Sequence, residues 1–285
     1  MLIIPKNHKK KYFISNIAYQ IIIVMKFITV IFLFIVNSCV AQQWQAEIMA
    51  GVTGYNGDLS RPVVAANTFG PGVSINLKYQ LPNDFLIIRG GISYGSIKAD
   101  DAKSKDLSIK DRNLNFKSNI LEGSLGLEVN ILDPTVYAGY PYVFACVGVF
   151  HFNPYTKDKT NTKTFLQPLG TEGQGLSQYP NRSVYSLTKV CIPFGLGWKL
   201  KINEKFDVAY ELGFRYTSTD YLDDVSSTYA DPQVLLAGRG PKAVELAYRA
   251  VKPPVATPGG KRGNPDAKDW YYMTGLKLIL KLGEQ

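Results

Sequence analysis

Histidine is scarce in this 285-residue chain, and its scarcity excludes several kinds of chemistry. Only His151 lies beyond the first 41 residues, so neither a zinc site built from several histidines nor a histidine acid–base pair is available. We therefore expect no metal and no cofactor, and a serine hydrolase that uses His151 stays an open alternative. Long apolar runs are also missing, since the run Phe27–Val36 is too short to span a bilayer as a helix.

The N-terminal segment predicts export. Met25–Ala41 has one lysine, then an apolar run, then small residues, which is the pattern of a secretory signal peptide cleaved after Ala41. A lipoprotein signal with acylated Cys39 is the alternative. The residues before Met25 are either an extended leader or follow an upstream start at Met1. We therefore predict a leader over 1–41, with the signal peptide at 25–41, and one folded domain over 42–285.

The excess of positive charge comes largely from this leader. Of the 32 basic residues, five lie in it, and none of the 23 acidic residues does, which leaves 27 against 23, or +4, for the exported chain; the five are Lys6, Lys9, Lys10, Lys11 and Lys26. A charge of this size gives little support for a nucleic-acid partner, so we expect none.

Residue polarity alternates with a period of two residues over the segment Val190–Thr217. Apolar residues occupy every second position from Val190 to Ile202, and small or charged residues lie between them. After the turn Asn203–Lys205 the alternation resumes from Phe206 to Tyr216. This pattern predicts a hairpin of two long strands with one apolar face. Their length, and the Trp and Tyr near the strand ends, favour a face that meets lipid.

Six further segments alternate in the same way, which makes eight predicted strands. They are Trp44–Val52, Phe69–Gln80, Phe85–Ile97, Phe116–Ile131, Tyr142–Phe152 and Trp270–Leu282. Short links alternate strictly with long ones, as in outer-membrane barrels with tight periplasmic turns and long outer loops. Strands cross a membrane only as a closed barrel. We predict an all-β fold: an eight-stranded antiparallel outer-membrane β-barrel, located in the cell outer membrane and in contact with its lipid.

The face opposite the lipid carries charges. An eight-stranded barrel is filled by its own side chains, so these charges are expected to pair across the lumen as a plug, with an ion pore as the alternative. The predicted lumen charges are Glu47, Arg89, Glu122, Glu128, Glu211, Arg215 and Lys277. On the same parity Cys191 faces the lumen and Cys146 faces lipid, so no disulfide is expected.

The long loops carry three features of interest. The glycine-rich stretch Gly170–Gly175 lacks the Lys-Ser/Thr of a phosphate-binding loop and predicts a tight turn. The aspartates predict a solvated acidic rim, with a calcium site as the less favoured alternative; they are Asp220, Asp223, Asp224 and Asp231. Polar and aromatic loop residues offer a surface for an unspecified partner, among them Asn161, Tyr179, Asn181 and Tyr185.

Several strings resemble the PorG family of outer-membrane barrels, a component of the type IX secretion system of Bacteroidota. They are Asp111–Asn119, Phe152–Pro154, Thr171–Gly175, Ile192–Gly195 and Thr219–Ser226. The resemblance covers about residues 44–282, and the stretch Arg239–Arg262 has no counterpart in it. It implies a non-enzymatic barrel that anchors the periplasmic ring of that machine, through a lipoprotein and its partner protein, and that serves protein export and gliding motility. No catalytic residues come with it.

Two other functions stay open at this point. One is a lipid-modifying enzyme of the outer leaflet, which would need a polar cluster at the loop-side rim. The other is a ligand-binding or adhesive barrel whose long loops do the binding. Small closed barrels serve all three roles, so the fold alone does not choose among them.

Overall fold

The computed structural model of the chain describes residues 44–60, 62, 65–82, 84–251 and 256–282, and the predicted leader with Cys39 lies outside them. The described part holds ten strands: β1 Trp44–Asn56, β2 Gly70–Gln80, β3 Leu86–Asp100, β4 Asn115–Asn130, β5 Gly139–Phe152, β6 Tyr155–Lys157, β7 Lys163–Phe165, β8 Thr188–Lys201, β9 Phe206–Thr217 and β10 Trp270–Leu282. Three short helices lie in the loops: α1 Leu107–Arg112, α2 Pro232–Arg239 and α3 Pro241–Ala247. None of these helices is long and apolar enough to span a bilayer.

Eight strands form a closed antiparallel barrel. The order around it is β3, β2, β1, β10, β9, β8, β5, β4, and β4 pairs back with β3 to close the ring. β6 and β7 form a separate hairpin that continues from β4 through the pairing of Lys117 with Tyr155. Closure gives each of the eight barrel strands a neighbour on both sides, as hydrocarbon requires. The predicted fold class is confirmed.

The outer face of the barrel is a continuous apolar belt. Near mid-strand on β2, β4 and β10 the belt is aliphatic: Ile75, Leu125 and Leu276 are 67%, 64% and 70% exposed. On β2 the outward residues run from Pro71 to Tyr79, about 27 Å along the strand at 3.4 Å per residue. Strand tilt shortens this to roughly 20 Å, close to the apolar band of outer-membrane barrels. Such a belt belongs in lipid, so the chain is an outer-membrane β-barrel.

The two ends of the barrel differ. Tight links over 81–85, 131–138 and 202–205 lie at one end, where β1 and β10 also meet through the pair Trp44 and Leu282. The long connections over 57–69, 101–114, 153–187 and 218–269 lie at the other. In outer-membrane barrels the short turns are periplasmic and the long loops extracellular. The end with the tight links is therefore the periplasmic end, and the end with the long connections is the extracellular end.

β5 corrects the predicted position of one cysteine. Cys146 is buried and faces the lumen, as Cys191 does, and both are free thiols. The outward residues of β5 are small aliphatics such as Val147, while its aromatic residues point inward, so both faces are apolar. Hydrophobicity alone therefore gives the wrong parity on this strand. The expectation that the two cysteines form no disulfide agrees with the structure.

Candidate functional site

A network of buried charges fills the periplasmic half of the lumen. Three carboxylates lie between four cations, and all seven side chains are at most a few per cent exposed; they are Glu47, Glu128 and Glu211 with Lys78, Arg89, Lys199 and Lys277. Each comes from an inward position of its strand. The network leaves one formal positive charge in excess, four against three.

Glu128 on β4 is the most heavily shared carboxylate. Its oxygens lie 2.8 Å from Lys78 Nζ, 3.1 Å from Arg89 Nη1 and 2.5 Å from Lys199 Nζ. Arg89 also reaches Glu211, with Nη1 2.9 Å from Oε2. Because these groups have lost their water, their stability depends on their mutual pairing. The network therefore ties β2, β3, β4, β8 and β9 together across the lumen.

The remaining partners come from β1, β2, β5 and β10. Lys277 bridges Glu47, at 2.7 Å, and Glu211. The Tyr142 hydroxyl donates to Glu211 Oε2 at 2.8 Å, and the Asn76 amide donates to Glu47 Oε1 at 2.9 Å. The lumen at this level is occupied by side chains that hold one another in place.

A second layer lies nearer the extracellular end. Arg215 Nε lies 3.1 Å from Glu122 Oε2, and the Tyr271 hydroxyl donates to the same oxygen at 2.6 Å. A cavity of about 10 Å³ beside Glu122 and Arg215 has the size of a single water. Among the described residues, the cavity in this layer leaves room for about one water.

The structure brings the seven predicted lumen charges into these two layers. Glu47, Arg89, Glu128, Glu211 and Lys277 share the first, and Glu122 and Arg215 form the second. Sequence reasoning missed Lys78 and Lys199, although each occupies a polar position between outward apolar residues. The same two-residue alternation, applied strictly, identifies both.

Above the charges, the extracellular mouth is closed by an apolar core that barrel and loops share. Inward residues of the strand ends, such as Phe116, Phe150 and Phe152, pack with the loop residues Leu166 and Leu222. In the loops, Tyr185 stacks on the Tyr221 ring at 4.5 Å and parallel to Phe152 at 6.3 Å. The long loops thus form a folded cap over the barrel.

Glu172 is the central acceptor of this cap. It lies in the stretch Gly170–Gly175, whose three glycines all have positive φ, from 53° to 81°, and thereby turn the buried chain tightly. Glu172 Oε1 accepts from Arg262 Nη1 at 2.9 Å and from the Ser226 amide at 2.9 Å. The glycines therefore place a structural carboxylate, which joins the third long loop to the fourth.

The prediction of a solvated acidic rim is wrong, because three of the four aspartates are buried in the cap. Asp223 Oδ2 accepts from the Tyr55 hydroxyl at 2.6 Å, and Asp224 accepts from Thr171 and Tyr185 at 2.6 and 2.7 Å. Asp220 is 4% exposed. Asp231 caps α2 by accepting from the Gln233 and Val234 amides. No group of three or more metal-ligating side chains among the described residues could hold a metal ion.

Burial raises the pKa of these carboxyl groups. The pKa of Asp220 rises to about 7 and that of Asp224 to about 6, mainly because each loses water. The pKa values of Asp223 and Asp269 also lie well above the ordinary range, through burial and through the charges of Asp58 and Asp223 respectively. The folded cap therefore retains protons that an unfolded chain releases.

A polar cleft of about 590 Å³ lies at the side of the cap, and its two arginines, Arg112 and Arg262, are already engaged within the fold. Arg112 donates to both carboxylate oxygens of Asp101 and to the Asp58 carbonyl, while Arg262 binds Glu172. Arg112 and Arg262 thus hold the loops together. Neither guanidinium is free to bind a ligand.

The other predicted loop residues lie apart. His151 is exposed on the outer face, and its Nδ1 is 3.1 Å from Thr188 Oγ1, with no acid–base partner near it in the described residues. Tyr185 is buried in the cap, which removes it from the predicted partner surface. Tyr179 is partly buried, and its hydroxyl accepts from the Asp231 amide. Asn161 and Asn181 are exposed.

Comparison with protein families assigns the chain to a family. The family described as "Domain of unknown function (DUF6089)" matches residues 24–238. The chain belongs to this family. Comparison with curated protein sequences gives no match.

Among solved structures, several small outer-membrane proteins are similar. Neisserial surface protein A is 12% identical with a TM-score of 0.40, over 84% of this chain and 96% of that one. Ail of Yersinia pestis is 10% identical (TM-score 0.39; 84% and 99%), and OprG of Pseudomonas aeruginosa is 11% identical (TM-score 0.35; 84% and 97%). Similarity at this level gives no argument about function.

Replacing Glu128 by Gln should destabilise the barrel strongly. The change leaves Lys78, Arg89 and Lys199 without their shared carboxylate, and removal of one partner from a buried ion pair costs roughly 3–5 kcal/mol. Urea unfolding in lipid vesicles measures the loss. The exposed periplasmic Glu204→Gln, with the same chemistry, should stay within about 0.5 kcal/mol of the parent. Equal stability of the two variants would contradict the network.

The cap should lose stability as the pH rises from about 4 to about 7. Over that window folded Asp220 and Asp224 keep protons that unfolded aspartates, with a pKa of about 3.9, have released. Above about pH 7 the share of the loss that comes from Asp220 and Asp224 should level off. Hydrogen exchange of residues 218–230 at pH 5 and pH 8 measures it. Asp220→Asn should flatten the dependence and the exposed Asp266→Asn should preserve it; an unchanged slope in Asp220→Asn would refute the assignment.

Proposed function

We propose that this barrel is a non-enzymatic outer-membrane component of a type IX protein secretion machine, which anchors or scaffolds the periplasmic ring. Its partners would be the ring lipoprotein and that lipoprotein's partner protein, and its work would serve export and gliding motility. The sequence strings that resemble the PorG family support the proposal. So does a barrel whose lumen is filled and whose loops are folded, since an anchor needs neither a channel nor mobile binding loops.

The observation that carries the proposal is an apolar periplasmic turn. The link 131–138 is the longest of the three tight turns, and at it Val136 and Tyr137 are 69% and 50% exposed. Both follow Ile131, where the apolar strand pattern of β4 ends. Large apolar side chains exposed at a turn beyond the belt are typical of a contact with another protein.

The turn is rigid, which favours a specific contact. Asp133 Oδ1 accepts from the Thr135 amide at 2.8 Å and from its hydroxyl at 2.7 Å. The Val136 and Tyr137 amides donate to the Asp133 carbonyl at 3.2 and 3.0 Å. A turn fixed in this way presents its side chains without further loss of conformational entropy on binding. Val136 and Tyr137 are thus suited to act as anchors for a ring protein.

The two alternatives have less support. Lipid-modifying catalysis requires a nucleophile or base with partners, and the exposed His151 has only the Thr188 hydroxyl among the described residues. Adhesion by free loops requires residues that are available for binding. Of the loop residues predicted to offer such a surface, Tyr185 is buried in the cap, where its hydroxyl donates to Asp224, and the Tyr179 hydroxyl accepts from the Asp231 amide.

The test replaces Val136 and Tyr137 by Ser in the chromosomal copy. Loss of two central apolar contacts costs about 2 kcal/mol or more, so recovery of the ring lipoprotein with the affinity-purified barrel should fall roughly 30-fold. Secretion of type IX cargo should fall with it. Heat-dependent gel migration of the variant checks that the barrel is folded.

The matched control is Leu107→Ser, because Leu107 is an equally exposed apolar residue in an extracellular loop. It should leave both readouts unchanged. Deletion of the whole gene should block export. Normal export in the deletion strain would overturn the secretion role, and normal recovery of the lipoprotein with the double variant would overturn the assigned contact.

A further inference from the structure

Two lysines face each other on the outer surface just above the apolar belt. Lys98 on β3 and Lys117 on β4 are direct cross-strand partners. Two residues nearer the bilayer the partners are Ser96 and Asn119, and two residues further they are Tyr94 and Leu121, both of which are exposed. The lysines thus lie about 14 Å along the strands beyond Tyr94, at 3.4 Å per residue. This is the level of lipid headgroups.

The β6–β7 hairpin adds a second lysine pair beside the first. Tyr155 of the hairpin pairs with Lys117, and further along Lys157 pairs with Lys163. Lys163 Nζ lies 4.0 Å from the centre of the Tyr155 ring and 4.8 Å from that of Phe165. Four lysines and two aromatic rings therefore share one outward surface, which we call the lysine face: Lys98, Lys117, Lys157, Lys163, Tyr155 and Phe165.

The lysine face has one carboxylate beside it on β3, that of Asp100, which caps the following turn by accepting from the Ala102 amide at 3.1 Å. None of the four lysine ammonium groups forms an ion pair or a hydrogen bond with another described residue. The nearest acidic group of the hairpin, Asp158, is engaged by Lys242 at 2.9 Å, and Glu245 binds the same ammonium at 2.9 Å. Like charges directly opposite on a sheet destabilise it. Two such pairs in succession therefore point to an anion supplied from outside the chain.

A groove joins the lysine face to the belt. It has a volume of about 300 Å³ and is lined by Tyr94, Leu121, His151, Tyr155, Lys163 and Phe165, with Asn119 and Asn153. Its lower wall consists of outward belt residues, and Lys163 lies at its upper edge. The groove therefore offers apolar contact at the depth of the upper acyl carbons and positive charge at the depth of a phosphate.

We propose that the lysine face and its groove bind a phosphorylated lipid of the outer leaflet. The phosphate would lie among Lys98, Lys117 and Lys163, and the first carbons of an acyl chain would pack on Tyr94 and Leu121. A free anion would gain nothing from the apolar wall. A folded protein partner would have to enter the lipid to reach it. The lipid alone matches both halves of the surface, and the site is independent of the proposed secretion role.

The experiment measures retained lipid on the mature, full-length barrel. Protein is purified in a non-ionic detergent and mixed with phosphatidic acid or with diacylglycerol of identical acyl chains, and bound lipid is counted by native mass spectrometry. The test variant carries Lys98→Gln, Lys117→Gln and Lys163→Gln. The matched control carries Lys103→Gln, Lys105→Gln and Lys110→Gln, three exposed lysines of the loop 101–114 that joins β3 to β4 but that do not belong to the lysine face.

The parent should retain phosphatidic acid and not diacylglycerol. The test variant should bind phosphatidic acid roughly 100-fold more weakly, about fivefold for each lysine near the membrane surface, and the control should match the parent. Equal binding by test variant and control, or equal binding of the two lipids, would overturn the proposal. Displacement of the lipid by millimolar inorganic phosphate would identify a site for free anions and would overturn it too. Heat-dependent gel migration excludes misfolding as the cause.

Discussion

Seven buried and desolvated charged side chains stabilise the centre of this barrel by pairing with one another. Closing eight strands leaves a lumen that only side chains fill, and here the sequence fills it with Glu47, Glu128 and Glu211 against four cations. Such groups are tolerated only when each has an opposite charge beside it. Because the partners come from seven of the eight barrel strands, the register of each of those strands is linked to that of the others. The outer belt can then be uniformly apolar, because the charges in the lumen specify the strand register.

The extracellular cap is also stabilised by buried polar groups that bind one another, and it contains an apolar core as well. Its apolar core joins loop residues to the mouth of the barrel, and its polar groups bind each other through Glu172, Arg262 and the buried aspartates. The long loops are therefore part of the folded structure. Two surfaces expose apolar or cationic side chains that the fold itself does not use: the periplasmic turn 131–138 and the lysine face. Both proposals about partners rest on these surfaces.

The sequence predicts the barrel well where apolar and polar residues alternate cleanly. On β9, and on β8 from Val190 onward, the outward residues are aliphatic or aromatic and the inward ones small or charged, so strand, face and lumen charges there follow from parity. β5 breaks the rule, because Tyr142, Phe144 and Phe150 face inward while valines face lipid. Cys146 was assigned to the wrong face for that reason. Parity cannot separate two faces that are both apolar.

The structure of the cap cannot be predicted from the alternation of apolar and polar residues. Asp223 and Asp224 are buried by partners 168 and 53 residues away, Tyr55 and Thr171, so no local pattern distinguishes them from solvated loop aspartates. Short helices such as α2 carry too little periodicity to stand out in a loop of this length. The positive-φ glycines around Glu172 were readable as a turn. Their role in placing a buried carboxylate depends on Arg262, which lies 90 residues later.

Ion conductance in a planar bilayer tests the central claim most directly. A lumen filled by mutually paired side chains and closed above by an apolar core should pass no current, so the purified barrel should show a flat baseline at potentials at which porins conduct. Stepwise openings in the parent protein, abolished when the charged lumen residues are replaced, would show that the charges line a path for ions and would contradict the account.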